Sequence, residues 1–280
     1  MKRLILDQLY SILYKFHGSK FSNLSTSLFI ENLFAFLRRK KVRFYYDNYL
    51  KKIVAKESAF KKYGLIKNRF FSLYRDGIKV RGRRIHNSYC LENIKFEAND
   101  VIVDCGANNG DLIIEISNQI DLKNYIAIEP NPEDFSCLKL SCQDSLLINK
   151  ALAEKDDPLK FYVSTALGDS SLIMPETYEE IIEVETIKLS ELLSKYSISK
   201  VKLFKVEAEG YEPEVLQGAL DCINFVEYIS IDGGYERGLK KDQTFTEITN
   251  FLLKNNFEIC DINFNWYRGL FHNKNINMKK

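Results

Sequence analysis

The 280-residue chain has 45% apolar and 28% charged residues, a globular balance that excludes a disordered or low-complexity protein. The net charge of +2 hides an asymmetry: residues 1–100 carry 22 Lys and Arg against 8 Asp and Glu, and the remainder carries 18 against 30. A basic front joined to an acidic back suggests two jobs. The six cysteines contain no CxxC pair, so they read as reduced thiols and exclude both a disulfide scaffold and a zinc site.

No apolar run reaches membrane-spanning length. Residues 1–16 look a little like a signal peptide, but Asp7 breaks the apolar stretch and no small-residue cleavage site follows. Residues 4–16 have helical spacing. Residues 27–55 do too, with Leu28, Phe29, Leu33, Phe34 and Leu37 at that spacing and the aromatic residues expected in a core, and a basic run at Arg38, Arg39, Lys40, Lys41 and Arg43 is expected on a solvated face. Asp76-Gly77 is a two-residue turn signal between 71–75 and 78–80, which predicts a small hairpin. From residue 101 strands and helices alternate. Strands are expected at 101–105, 125–129, 146–149, 201–206 and 228–232, and helices at 112–120, 132–140, after Pro213 and at 245–254. An inserted strand pair is expected at 159–163 and 184–189, and two strand-like runs close the chain at 257–271. The pattern predicts an α/β fold with a doubly wound, mostly parallel sheet.

The sharpest local signal is the strand-and-turn segment Val-Ile-Val-Asp-Cys-Gly-Ala-Asn-Asn-Gly over 101–110. Gly106 lets the chain turn sharply after Asp104, and Gly110 is expected to open the next helix to a ligand. Glu129, ending the next strand, suits a carboxylate that grips both ribose hydroxyls. A dinucleotide fingerprint wants GxGxxG, yet Asn108 holds its middle position, and Asp104 would repel a pyrophosphate while suiting a cation. The Walker pattern is absent. The segment therefore favours S-adenosyl-L-methionine over a nicotinamide dinucleotide.

VDCGANNGD (103–111), IEPNPEDF (128–135), NKALAE (149–154), GDSSL (168–172), VETIKLSELL (184–193) and LFKVEAEGYEPEVLQGA (203–219) follow in order. With these blocks the chain resembles the FkbM-type methyltransferases, a branch of the class I S-adenosylmethionine-dependent fold. It departs where Glu207 replaces the usual aspartate and Ala208 an apolar β-branched residue. The resemblance implies O-methyl transfer to a sugar or polyketide hydroxyl. It carries cofactor roles onto Asp104, Gly106, Asn108, Gly110, Glu129 and Asn131, and onto Lys150 and Ala151 beside the adenine. The residues themselves support the first five. The chain then divides into a basic helical region at 1–95, a substrate cap or partner contact, and a methyltransferase domain at 96–280.

An acceptor hydroxyl gains from losing its proton, which needs a base or an acidifying metal. The ends of the fourth and fifth strands supply Glu207, Glu209 and Asp232. Asp232 is the expected base with Glu207 as helper and His86, next to the arginines, as the substitute. Lys205 is expected to pair with one of these acids. The three acids could also hold a divalent cation. Arg81, Arg83 and Arg84 suit the diphosphate of a nucleotide-activated sugar, because guanidinium forks match phosphate oxygens. The leading expectation is a sugar O-methyltransferase for surface-polysaccharide precursors. It is placed in the cytoplasm, with no nucleic-acid partner and a possible peripheral membrane contact through 27–55. The alternatives are an RNA methyltransferase using the basic front and a non-catalytic membrane-surface protein.

Overall fold

The computed structural model describes residues 24–57, 62–65, 73–164 and 170–276. The expected helix at 4–16 lies outside these residues. The chain forms two compact units, 1–81 and 82–280.

The first unit begins with helix α1 (Leu24–Leu37), followed by strands β1 (Arg43–Asp47), β2 (Lys52–Lys56) and β3 (Tyr63–Leu65) in an antiparallel meander. The expected helix over 27–55 therefore stops at Leu37. RFYYD and KIVAK are rich in β-branched and aromatic residues. The Asp47 carboxylate accepts from the backbone N–H groups of Tyr49 and Leu50, both at 3.1 Å, and folds the chain back between them. Phe34, Ala35, Phe44, Val54 and Leu65 are buried, while Phe29 and Phe36 of α1 are each 67% exposed and are not core.

Helix α2 (Ile78–Ser88) replaces the hairpin expected at Asp76-Gly77. The Glu57 carboxylate accepts from the N–H groups of Ile78 (2.8 Å) and Lys79 (3.3 Å), satisfying donors that the first helical turn leaves unpaired. A cap contributed 21 residues upstream, not a strand partner, decides the local structure.

The second unit continues with β4 (Ile102–Cys105), α3 (Ile113–Ile116), β5 (Tyr125–Ile128), α4 (Pro132–Ser141), β6 (Leu146–Ile148), β7 (Ala151–Leu152), β8 (Leu159–Val163), β9 (Glu180–Val184) and β10 (Thr186–Ile187). It closes with α5 (Leu189–Lys195), β11 (Val201–Val206), α6 (Glu212–Ala219), β12 (Val226–Asp232), β13 (Tyr235–Arg237), β14 (Asp242–Gln243), α7 (Phe245–Lys254), β15 (Phe257–Asn263) and β16 (Arg268–Asn273). The main sheet has the order β15-β16-β12-β11-β4-β5-β6. Strands β6, β5, β4, β11 and β12 run parallel, and β16 is antiparallel to both β12 and β15. The fold is α/β and doubly wound, as expected. The inserted pair is shifted, because β8 pairs with β9, aligning Leu159 with Val184, and β10 instead lies parallel to β7.

All six residues of β11 are buried, as a parallel strand covered on both faces requires. Alternation sends Val103, Phe204, Val206, Ile229 and Ile231 to one face, with α5, α6 and α7. Ile102, Leu203 and Leu270 go to the other, with Tyr89, Tyr125 and α3. The same period delivers Asp104, Lys205 and Asp232 to that second face. Connectivity reverses between β4 and β11: from β4 the chain runs outward to β6 and then returns to β11. Such a switch leaves a crevice beyond the strand ends.

Candidate active site

A cavity lies at that switch point, and four stretches of chain line it. The end of β4 and the loop after it supply Cys105, Gly106 and Asn108. The end of β5 and the start of α4 supply Ile128, Glu129, Pro130 and Asp134. Ala151, Leu152, Phe161, Ser170 and Leu172 come from β7, β8 and the segment beyond. Glu207, Ala208, Glu209 and Tyr211 come from the loop after β11.

Two non-glycine lining residues have left-handed backbone, Asn108 (φ 47°) and Glu209 (φ 50°). Positive φ costs a non-glycine residue about 1–2 kcal/mol, so the surroundings hold both loops in place. Glu129 does part of this. One carboxylate oxygen accepts from Asn108 N–H and the other from Asn131 N–H, each at 2.9 Å. Burial, reinforced by Asp134, pushes its pKa up to about 8. Glu212 does the same for the other loop, accepting from the N–H groups of Ala208 (2.8 Å) and Gly210 (3.2 Å). Burial and the neighbouring Asp232 push Glu212 up to about 7.

Beneath the cavity runs a buried charge network on the second face of the sheet. Lys205 Nζ lies 3.1 Å from Asp104 and 3.0 Å from Glu207 and donates to the carbonyls of Cys105 and Gly106. Arg268 joins it from β16, with Nε 2.5 Å from Asp232, Nη2 2.7 Å from Glu207 and Nη1 2.6 Å from Ser88 Oγ. The guanidinium stacks on the Tyr89 ring at 4.1 Å. Burial alone would raise the Glu207 pKa, but the Lys205 and Arg268 charges overcome it and hold the group at about 2. Burial dominates at Asp104 and Asp232 and raises both, against the pull of Lys205 and Arg268 respectively.

Of the expected cofactor residues, Gly106, Asn108, Glu129 and Ala151 meet in the cavity wall. The others lie outside it. Asp104 accepts from Tyr125 Oη and pairs with Lys205, so it supports the loop from below. Gly110 turns its missing side chain toward Leu138 of α4 and Cys142 just after it, and the next helix starts at Ile113. Its role is close packing, not an opening for a ligand. Asn131 caps α4 by accepting from Glu133 N–H at 3.0 Å. Lys150 pairs with Glu185 at 3.0 Å.

The expected catalytic set separates as well. Glu207 lines the cavity, but Asp232 is 2% exposed and bonded to Arg268. His86 is buried in the last turn of α2 with Nδ1 3.4 Å from Asn87 Oδ1, and it is not in the cavity wall. Arg81, Arg83 and Arg84 are on α2, also outside that wall. Arg81 belongs to the first unit, and Arg83 faces Glu115 at 3.5 Å. Among the described residues no group of three or more His, Cys, Asp or Glu is placed to hold a metal. Sequence reading missed Asp134, Arg268, Tyr89 and the apolar wall of Phe161 and Leu172. The available signals were the blocks over 128–135, which holds Asp134, and 168–172, which holds Leu172.

The chain matches the model of the methyltransferase FkbM domain over residues 104–259. It is 30% identical over 181 residues to hexuronic acid methyltransferase AglP of Haloferax volcanii, covering 58% of this chain and 71% of that one. It is 27% identical over 173 residues to methyltransferase sdnD of Sordaria araneosa, covering 49% of this chain and 66% of that one. Among solved structures, methyltransferase FkbM of Methylobacillus flagellatus aligns with a TM-score of 0.44 and 14% identity, over 74% of this chain and 56% of that one. The matching model spans more than half of the sequence and takes in most of the cavity's lining: the chain belongs to the FkbM methyltransferase family.

Proposed function

We propose that the protein is an S-adenosylmethionine-dependent O-methyltransferase acting on a sugar hydroxyl, in a nucleotide-activated sugar or a glycan precursor of surface polysaccharide. One observation carries the cofactor assignment. Four acidic side chains line the cavity, Glu129, Asp134, Glu207 and Glu209, and no Lys or Arg is among its lining residues, although Lys205 and Arg268 hold Glu207 from below. Such a lining suits a sulfonium cation and opposes a pyrophosphate. The apolar side, Ala151, Leu152, Phe161 and Leu172, gives a purine its flat contact. When bound, the cofactor supplies a methyl group on positively charged sulfur. Glu129 is assigned the ribose hydroxyls, which donate to the lone pairs that its two backbone donors leave open.

Sugar as the acceptor class is supported by the relative that methylates a hexuronic acid. Exposed Tyr235 and Trp266, in the connections that follow β12 and β15, add aromatic faces on which a sugar ring can stack. The exposed Phe29 and Phe36 of α1, next to the basic run at 38–43, support a membrane-surface contact. Among the described residues no helix is long and apolar enough to cross a membrane.

Calorimetry with S-adenosylhomocysteine tests the cofactor assignment. Glu129→Ala is expected to weaken binding by about 1–3 kcal/mol, the scale of lost charged hydrogen bonds. Unchanged affinity in a folded variant would refute it. Labelled methyl transfer to a panel of sugars, nucleotide sugars and RNA tests the acceptor, and label in RNA alone removes the sugar reading. Replacing Arg81, Arg83 and Arg84 together with Gln is expected to raise KM for a nucleotide sugar and leave cofactor affinity unchanged, because remote phosphate contacts act as uniform binding. A fall in cofactor affinity instead would assign the arginines to the fold.

A further inference from the structure

Methyl transfer to a hydroxyl needs a proton acceptor, and three of the acids named so far are poorly suited to that work. Glu207 is held ionised near pKa 2 by two cations, which makes it too weak a base. Asp232 and Glu212 are 2% and 1% exposed, and their oxygens serve Arg268, Gly234 N–H and the loop after β11.

Strand β13 and Gly238 just after it pack against two segments that carry cavity-lining residues. On one side a Cβ at Gly210 would come within 2.6 Å of Arg237 Cα, and Arg237 Nη1 donates to the Gly210 carbonyl at 2.5 Å. Glu209 and Tyr211, the neighbours of Gly210, line the cavity. On the other side a Cβ at Gly238 would come within 3.3 Å of Ile173, next to the lining residue Leu172. Within β13, Tyr235 is exposed and Arg237 forks onto Glu214 at 2.5 and 2.9 Å. Glu236 alternates to the opposite side and is half-buried. Its carboxylate and that of Asp232 both reach the space above Gly234, where an added Cβ would lie 3.6 and 3.2 Å from them.

We propose that the Glu236 carboxylate takes up the proton that the acceptor hydroxyl releases during methylation. This rests on the methyl-transfer reading above. In the step the O–H bond breaks and its proton passes to a Glu236 oxygen. The freed oxygen pair forms the O–CH3 bond, and the S–CH3 bond breaks with its electrons remaining on sulfur, turning a sulfonium donor into a thioether. The groups facing Glu236 fit the role. Burial first, then Asp232 from β12, Glu212 from α6 and Glu207 from beyond β11 push its pKa up to about 8, with Arg268 of β16 opposing. A proton acceptor works best with a pKa near the working pH. Asp232, Glu212 and Glu207 thus act as positioning residues for Glu236.

The test uses Glu236→Gln and Glu236→Asp in the full chain, with two independent readouts. In protein carrying 13C-labelled glutamate carboxyls, the resonance missing from Glu236→Gln is expected to titrate well above the ordinary carboxylate range. Titration below about pH 6 overturns the proposal whether or not any sugar is methylated. In methyl-transfer assays Glu236→Gln is expected to lower turnover about 10²–10⁴-fold, with S-adenosylhomocysteine affinity unchanged. It is also expected to lose the limb of the pH profile that rises toward pH 8, and Glu236→Asp is expected to restore part of the rate. Near-normal turnover with an unchanged profile in Glu236→Gln overturns it. A wild-type protein that labels only RNA removes the sugar reading and leaves the carboxyl titration to decide the proton's destination.

Discussion

Replacing Lys205 with methionine is expected to destabilise the methyltransferase unit by about 3–5 kcal/mol, the loss typical of removing one partner from a buried ion pair. Lys205 is 3% exposed and sits between Asp104, which is 1% exposed, and Glu207. Methionine keeps most of the volume and removes the charge. Asp104 would then keep Tyr125 as its hydroxyl donor and have no cation, and the carbonyls of Cys105 and Gly106 would each lose a donor. Urea denaturation followed by circular dichroism measures the effect as a fall in midpoint. Pairing the change with Asp104→Asn is expected to recover part of the loss, since residues in one ion-pair network do not add independently. A simple sum of the two single effects would show that the pair is not coupled. The pH dependence has a definite sign. Glu207 is held below its ordinary value, so its stabilisation is present above about pH 4.5 and is lost as pH falls toward 2. The wild type should therefore lose its advantage over Lys205→Met in acid.

How much of this was legible in the sequence depended on how local the cause was. The parallel strands and their order of appearance were legible because β4, β5 and β11 are short, mostly apolar runs with turn residues at their ends. The carboxylate at Glu129 was legible for the same reason: it is the first polar residue after a buried strand. The position of Asp104 in the strand gives its face but not its neighbours. Lys205 and Tyr125 reach it from two separate parts of the chain. Gly110 was misread because the need for a small residue came from Cys142, 32 residues away. Arg268 left no signal at all. Its partner Asp232 lies on β12 and its own strand is the sheet's seventh, so only the antiparallel register of β16 brings them together. The first unit shows the opposite failure. Helical spacing over 43–56 is as good as strand spacing when nearly every residue is apolar or basic, and the turn fixed by Asp47 decided between them.

Gly106→Ala is expected to be the most damaging single-methyl change in the unit, and comparison with Gly110→Ala isolates why. Both glycines have left-handed backbone, with φ 70° and 79°, so alanine strains the two equally, by about 1–2 kcal/mol. The surroundings differ. At Gly110 the new methyl would meet the Cys142 sulfur at 2.5 Å and a Leu138 methyl at 3.1 Å, both side-chain atoms that can give way. At Gly106 it would fall on the backbone carbonyl oxygen of Glu207, far inside contact distance. That carbonyl cannot move alone. The loop that carries it continues through Ala208 and Gly210, whose N–H groups are tied to the buried Glu212, while the Gly106 carbonyl itself is tied to Lys205. Relief must therefore separate the ends of β4 and β11, which are the two sides of the cavity. Overpacking a rigid site costs typically about 1–3 kcal/mol beyond the backbone strain, so Gly106→Ala should lose about 3 kcal/mol or more in urea denaturation. It should also lose S-adenosylhomocysteine binding under conditions where the protein remains folded. Gly110→Ala should lose less stability and keep binding, because its methyl pushes on α4 and not on the crevice. Equal losses of binding in the two variants would mean that the glycines act on the cavity through a shared distortion of the turn, and not through the contact between Gly106 and Glu207.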